Sequence, residues 1–177
     1  MKLLKKLLGI GLISMASSAM AAPTYTYVGS WFVDEGDSWS ATNGLGQYIT
    51  PVLSGVEAAA YIFGGSASDY AISTVSSNVA DINFKAWMDG WGDSNTYGWN
   101  GTPAAQDLHI DVGGDGLYAS PGGAGSAYSA YVNDHGLHLQ NFAFRVTNSN
   151  DVPEPGSVAL LAAALAALAF ARRSGKA

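Results

Sequence analysis

Tyr25-Thr26-Tyr27-Val28-Gly29-Ser30-Trp31-Phe32-Val33 (YTYVGSWFV, residues 25–33) is an aromatic and β-branched run of strand type, broken by Gly29-Ser30. Such side chains suit a pleated, half-buried surface, so the run argues for β structure at the start of the chain's central region. The sequence that follows repeats this character. A polar loop carries Asp34, Glu35, Gly36 and Asp37, then comes Trp39 and an Asn43-Gly44 turn signal. Tyr70–Val75, Ile82–Met88, Leu108–Val112, Ala127–Val132 and Leu139–Thr147 read as further short strands. In the second of these Ile82, Phe84, Ala86 and Met88 would share one face; in the third Leu108, Ile110 and Val112 would point inward. Loops at 89–101 and 113–125 separate them, the latter holding six glycines in thirteen residues and therefore irregular.

One segment breaks the β pattern. Ser54-Gly55-Val56-Glu57 is a capping box: Ser54 can accept from the amide three residues on, and Glu57 can reach back to the Ser54 amide. Helix formers continue to Phe63, and Gly64-Gly65 stop them. The expected fold is mainly β, an antiparallel β-sandwich with one short helix at about 54–63. There is no internal repeat.

Both ends of the chain read as processing segments. Lys2, Lys5 and Lys6 precede an apolar run from Leu7 to Met15, and small residues lead to Ala19-Met20-Ala21, which fits the A-x-A cleavage rule. Residues 1–21 are the expected signal peptide, cut after Ala21. At the other end Val152-Pro153-Glu154-Pro155-Gly156 opens an apolar run to Ala171, closed by Arg172, Arg173 and Lys176. The run from Gly156 to Ala171 has 16 residues. As a helix it would span about 24 Å against a hydrocarbon core of about 30 Å, short for a permanent anchor. Half its positions are Ala, which weakens insertion, and the arginines would hold its far end in the cytoplasm.

The order of prolines, apolar run and basic end resembles the PEP-CTERM sorting signal of Gram-negative bacteria. The resemblance implies that a membrane protease, exosortase, reads residues 152–177 after Sec export and transient inner-membrane anchoring through 156–171. The body would then be released to the cell surface or polysaccharide matrix. Gly29-Ser30-Trp31, Glu57–Val75, Gly125–Asp134 and Phe142–Val146 also resemble the middle region of small PEP-CTERM proteins, to which the resemblance attaches no activity.

The remaining body, residues 22–151, holds only Lys85 and Arg145 against thirteen acids, a net charge of −11 that the whole-chain value of −6 conceals. Such a charge argues against nucleic acid and anionic membrane surfaces as partners. The absence of cysteine leaves stability to packing.

Three groups of residues are candidate sites. Asp111-Val112-Gly113-Gly114-Asp115-Gly116 has acids at the first and fifth positions and Gly at the sixth, as in a Ca²⁺ loop. Gly113 stands where a third ligand is expected, and Gly122 where a bidentate Glu is expected. A Gly-rich turn with solvated acids is therefore the favoured reading. Trp91, Tyr97 and Trp99, interleaved with Asp89, Asp93, Asn95 and Asn100, form a candidate glycan surface, because aromatic faces stack on sugar C–H groups while acids and amides hold hydroxyls. Trp87 beside them is expected in the core. His109, His135 and His138 lack metal-site spacing. No nucleophile elbow, HExxH or Cys-His pair is present, and no catalytic residue is assigned. The expected function is a non-catalytic secreted surface or matrix protein set in exopolysaccharide or biofilm. A carbohydrate-binding or calcium-dependent adhesion module is the alternative, and an extracellular hydrolase the third reading.

Overall fold

The computed structural model describes residues 22–91, 102–118, 127–134, 136, 138–147 and 164–165. Thr24–Thr147 forms one compact unit. Of the other unit, Met1–Pro23 and Asn148–Ala177, only Ala22, Pro23, Ala164 and Leu165 are described, the last two being helical. The expected signal peptide, and the expected C-terminal helix apart from those two residues, lie outside the described residues. Among the described residues no helix is long and apolar enough to cross a membrane.

The unit is mainly β, with antiparallel sheets and a single α-helix among the described residues. Strand β1 (Thr24–Phe32) and strand β2 (Tyr70–Ser73) flank the strand nearest the C-terminus of the unit, β7 (Gln140–Thr147), in the order β1-β7-β2. Two short ladders complete the β structure: β3 (Lys85–Ala86) with β5 (Ala104–Ala105), and β4 (Asp89–Trp91) with β6 (Ala127–Ser129). Helix α1 (Gly55–Phe63) begins at the capping box read from the sequence. Ser54 Oγ accepts from Glu57 N at 3.4 Å, and Glu57 Oε2 accepts from Ser54 N at 2.8 Å. It ends at Gly64, whose φ of 78° only glycine adopts freely.

One core joins the sheet to the helix and the ladders, through Trp31, Val56, Ala59, Ile72, Met88 and Ala143 among others. All four residues of β2 are buried, so this strand is covered on both faces. In β7 the fully buried Asn141 is satisfied by the Trp87 backbone, accepting its N–H at 2.7 Å and donating to its carbonyl at 3.0 Å. Arg145 pins the helix end to the sheet. It donates to Gly64 O at 3.1 Å and to the Tyr70 hydroxyl at 2.6 Å, and its guanidinium lies 4.9 Å from the Tyr70 ring centre. A second, smaller core gathers Trp39, Val52, Tyr118, Ala127 and Val132 beneath the loops.

Several strand expectations are corrected. Gly29-Ser30 does not break β1. The strand runs through, with a bulge between Tyr27 and Gly29, because Gly29 passes under Phe63 where an added Cβ would lie 2.6 Å from the ring. Ile82–Met88 is not one strand. Asn83 Oδ1 accepts from Lys85 N and its amide donates to Thr74 Oγ1, and Phe84 takes φ 55°, leaving only Lys85–Ala86 paired. Phe84, expected to share a face with Ala86 and Met88, is therefore 49% exposed while those two are buried. Leu108–Val112 contributes a single bridge, Ile110 to Tyr128, and Val112 is exposed. The loop expected from Asp89 begins instead as β4, where Gly90 lies directly beneath the Tyr128 ring.

Candidate functional site

β1 and β7 pair along their whole lengths, and the pairing opposes the first residue of one to the last of the other, Thr24 to Thr147. The Thr24 hydroxyl donates to the Thr147 carbonyl at 3.5 Å. Both ends of the body thus leave from one end of a single strand pair. Ala22 lies two residues before β1, and Val152 five residues beyond β7. The signal-peptide residues Ala19 and Ala21 and the sorting residues Val152, Pro153, Glu154, Pro155, Gly156, Arg172 and Arg173 lie outside the described residues.

The most exposed aromatic surface in the described body was not read from the sequence. Tyr61, 65% exposed on α1, stands 6.1 Å from the Tyr131 ring, just beyond β6. The acidic turn 34–37 is held against this pair. Val132 N donates to Val33 O at 2.8 Å and Asn133 N to Asp37 O at 3.0 Å. Gly36 lies so close to the Tyr131 backbone that a Cβ there would come within 2.4 Å of its carbonyl carbon. The Tyr131 hydroxyl is consequently harder to ionise than an ordinary phenol. Burial is the main cause, followed by the negative charge of Glu35, then Tyr61 and Asp37. Aromatic rings beside carboxylates are what the sequence led us to expect at 91–99. Here they come from residues 61 and 131 and the turn 35–37, which no spacing pattern connects.

Of the aromatic residues singled out in the sequence, Trp91 is half-buried and packs against the second core, its ring 6.3 Å from Tyr118. Tyr97 and Trp99 lie outside the described residues. Trp87 is half-buried, its indole N–H directed at Thr74 O at 3.4 Å.

The Asp111 carboxylate folds its own loop. Oδ1 accepts from Gly114 N at 3.0 Å and Oδ2 from Gly116 N at 2.5 Å, while Asp115 Oδ1 accepts from Leu117 N at 2.9 Å. These are Asx-type turns, with Gly114 and Gly116 at positive φ. Among the described residues no three His, Asp or Glu side chains come together as a metal-binding group. His109 Nδ1 lies 3.6 Å from Glu57 and His138 Nδ1 3.3 Å from Asp34. The two imidazoles are thus engaged with separate carboxylates, and His135 lies outside the described residues.

Comparison with known proteins identifies a PEP-CTERM protein-sorting motif at residues 151–173. No curated protein and no solved structure matches the chain. The tail resemblance therefore stands: the chain carries the PEP-CTERM motif, which marks it for exosortase sorting, export and the bacterial cell surface.

Proposed function

We propose that this chain is a non-catalytic surface or matrix protein of a Gram-negative bacterium. In this reading residues 1–21 are removed during Sec export, residues 156–171 hold the chain briefly in the inner membrane, and the body 22–151 associates with extracellular polysaccharide. The sorting motif at 151–173 carries the reading, because it sets the destination in which the body works. The body's chemistry supports it. Thirteen acids and two cations suit a protein dissolved among hydrated glycans. The exposed Tyr61 ring beside Tyr131, with Glu35 and Asp37 at hand, offers a face for sugar C–H groups and acceptors for hydroxyls.

The test is a pull-down of the mature protein with the host's own polysaccharide, run in Ca²⁺ and in chelator. Retention by the polysaccharide that falls at least several-fold in Tyr61→Ala, with unchanged unfolding behaviour, is the expected result. Equal retention of wild type and variant would remove the Tyr61 face from the reading. The Asp111 turn is built from backbone amides, so the melting temperature is expected to be the same with Ca²⁺ and with chelator. A rise of several degrees in Ca²⁺ would favour the adhesion-module alternative.

A further inference from the structure

The two edges of the main sheet are treated differently. At the β2 edge, Ile72 N donates to Gln106 Oε1 at 3.0 Å and Ile72 O accepts from Phe84 N at 3.1 Å, so side chain and loop close it. At the β1 edge no strand or backbone partner is found among the described residues. β1 is nine residues long and carries no charged residue, and Tyr27 and Val28 are 41% and 37% exposed. Natural sheets block such an edge with a charge, a proline or shortness. From Thr24 to Tyr27, before the bulge, β1 has neither a charge nor a proline.

We propose that the β1 edge is a self-association surface, where a second copy of this chain adds its own β1 antiparallel across a two-fold axis. Three observations select that occupant. Among the described residues no segment of the mature body covers the edge, and only two residues precede β1 and four separate β7 from the Val152 turn. This point rests on the leader and tail cuts of the proposed function. The edge is also uncharged on a body of −11, so it is where two copies can approach without setting carboxylates against each other. Finally, the sequence is self-complementary about Thr26. That axis sets Thr26 against Thr26 and Tyr25 against Tyr27 of the other copy, pairs that stabilise adjacent strands. The product is a continuous six-stranded sheet, and because the β2 edges are closed the assembly stops at the dimer.

The experiment is sedimentation equilibrium of the mature protein recovered from the producing cell, with Thr26→Lys, Thr26→Glu and Thr26→Val variants. Thr26 is exposed but lies opposite Arg145 across the β1–β7 pair, so urea unfolding of each variant at low protein concentration checks separately that the monomer fold is kept. Wild type and Thr26→Val are expected at twice the monomer mass. Thr26→Lys and Thr26→Glu alone are each expected at the monomer mass, and mixed together they should return to twice that mass. A wild type that stays monomeric across a hundredfold concentration range overturns the pairing, as does a Thr26→Lys variant that still dimerises. The N-terminal mass of the same samples reads the leader cut separately, and polysaccharide retention reads the Tyr61 face separately.

Discussion

Trp31 and Trp39 are equally buried, each 2% exposed, but they belong to regions built on different principles. Trp31 sits in the sheet-and-helix core, its ring edge-on to Phe63 at 6.2 Å and its indole N–H donating to Ala130 O at 2.8 Å. Trp39 sits in the loop core, 4.7 Å from the Tyr118 ring, and its indole N–H finds no acceptor among the described residues. In the first region strand pairing, the helix and buried polar groups satisfy one another, as Asn141 does with Trp87. In the second, aromatic packing is combined with turns that close on themselves, as at Asn43, whose Oδ1 accepts from Leu45 N and Gln47 N. The pair shows that burial alone does not measure what a residue contributes: an unsatisfied buried donor works against the packing around it.

Substitution of each tryptophan by phenylalanine tests this difference and has the largest expected effect. Trp31→Phe orphans the carbonyl of the fully buried Ala130 and leaves a void, and is expected to cost about 2–4 kcal/mol in urea unfolding. Trp39→Phe removes a buried donor that has no partner to lose, and should cost less than about 1.5 kcal/mol. Equal losses would erase the distinction between the regions. Next in size, Ser54→Ala removes the cap that starts α1 and should cost about 1 kcal/mol in the same measurement. A smaller loss would mean that packing of the helix in the first core makes the cap redundant.

The smallest effect concerns the junction between helix and loops. Because the Tyr131 hydroxyl holds its proton more tightly in the folded protein than in the unfolded chain, the unfolded state ionises first as pH rises past about 10. The stability linked to Tyr131 is thus intact below pH ~10 and is lost as pH climbs through the raised folded value. Tyr131→Phe should flatten that part of a stability profile measured between pH 9 and 11 at about 0.1 M salt. An unchanged slope would show that neither burial nor the charges of Glu35 and Asp37 act on this hydroxyl.

The fold was legible in the sequence where the signal lay within a few residues of its effect. Ser54 and Glu57 fixed the helix start, Gly64 its end and Asn43-Gly44 a turn, because each rests on hydrogen bonds spanning two to four residues. Strands were found approximately, at Tyr70–Ser73, Ala127–Ser129 and Gln140–Thr147, since residue type marks a strand but not its partner. Phe84 was misplaced because period-two alternation cannot register a turn held by the Asn83 side chain. The Tyr61–Tyr131 face was missed because its parts lie seventy residues apart.

By itself, the sequence determined the destination of this protein, its charge and the helix at 55–63. The Pro-Glu-Pro motif, the count of thirteen acids and the capping box are linear features, readable without knowing what touches what. Only the tertiary structure decided that β7, the strand nearest the sorting motif, lies at the centre of the main sheet. It alone placed Thr24 beside Thr147, closed one sheet edge and left the other without a strand partner among the described residues. The physical reason is range. Those outcomes depend on pairing across more than a hundred residues, such as Thr24 with Thr147, and that choice is made by how all the buried faces fit together rather than by any local pattern.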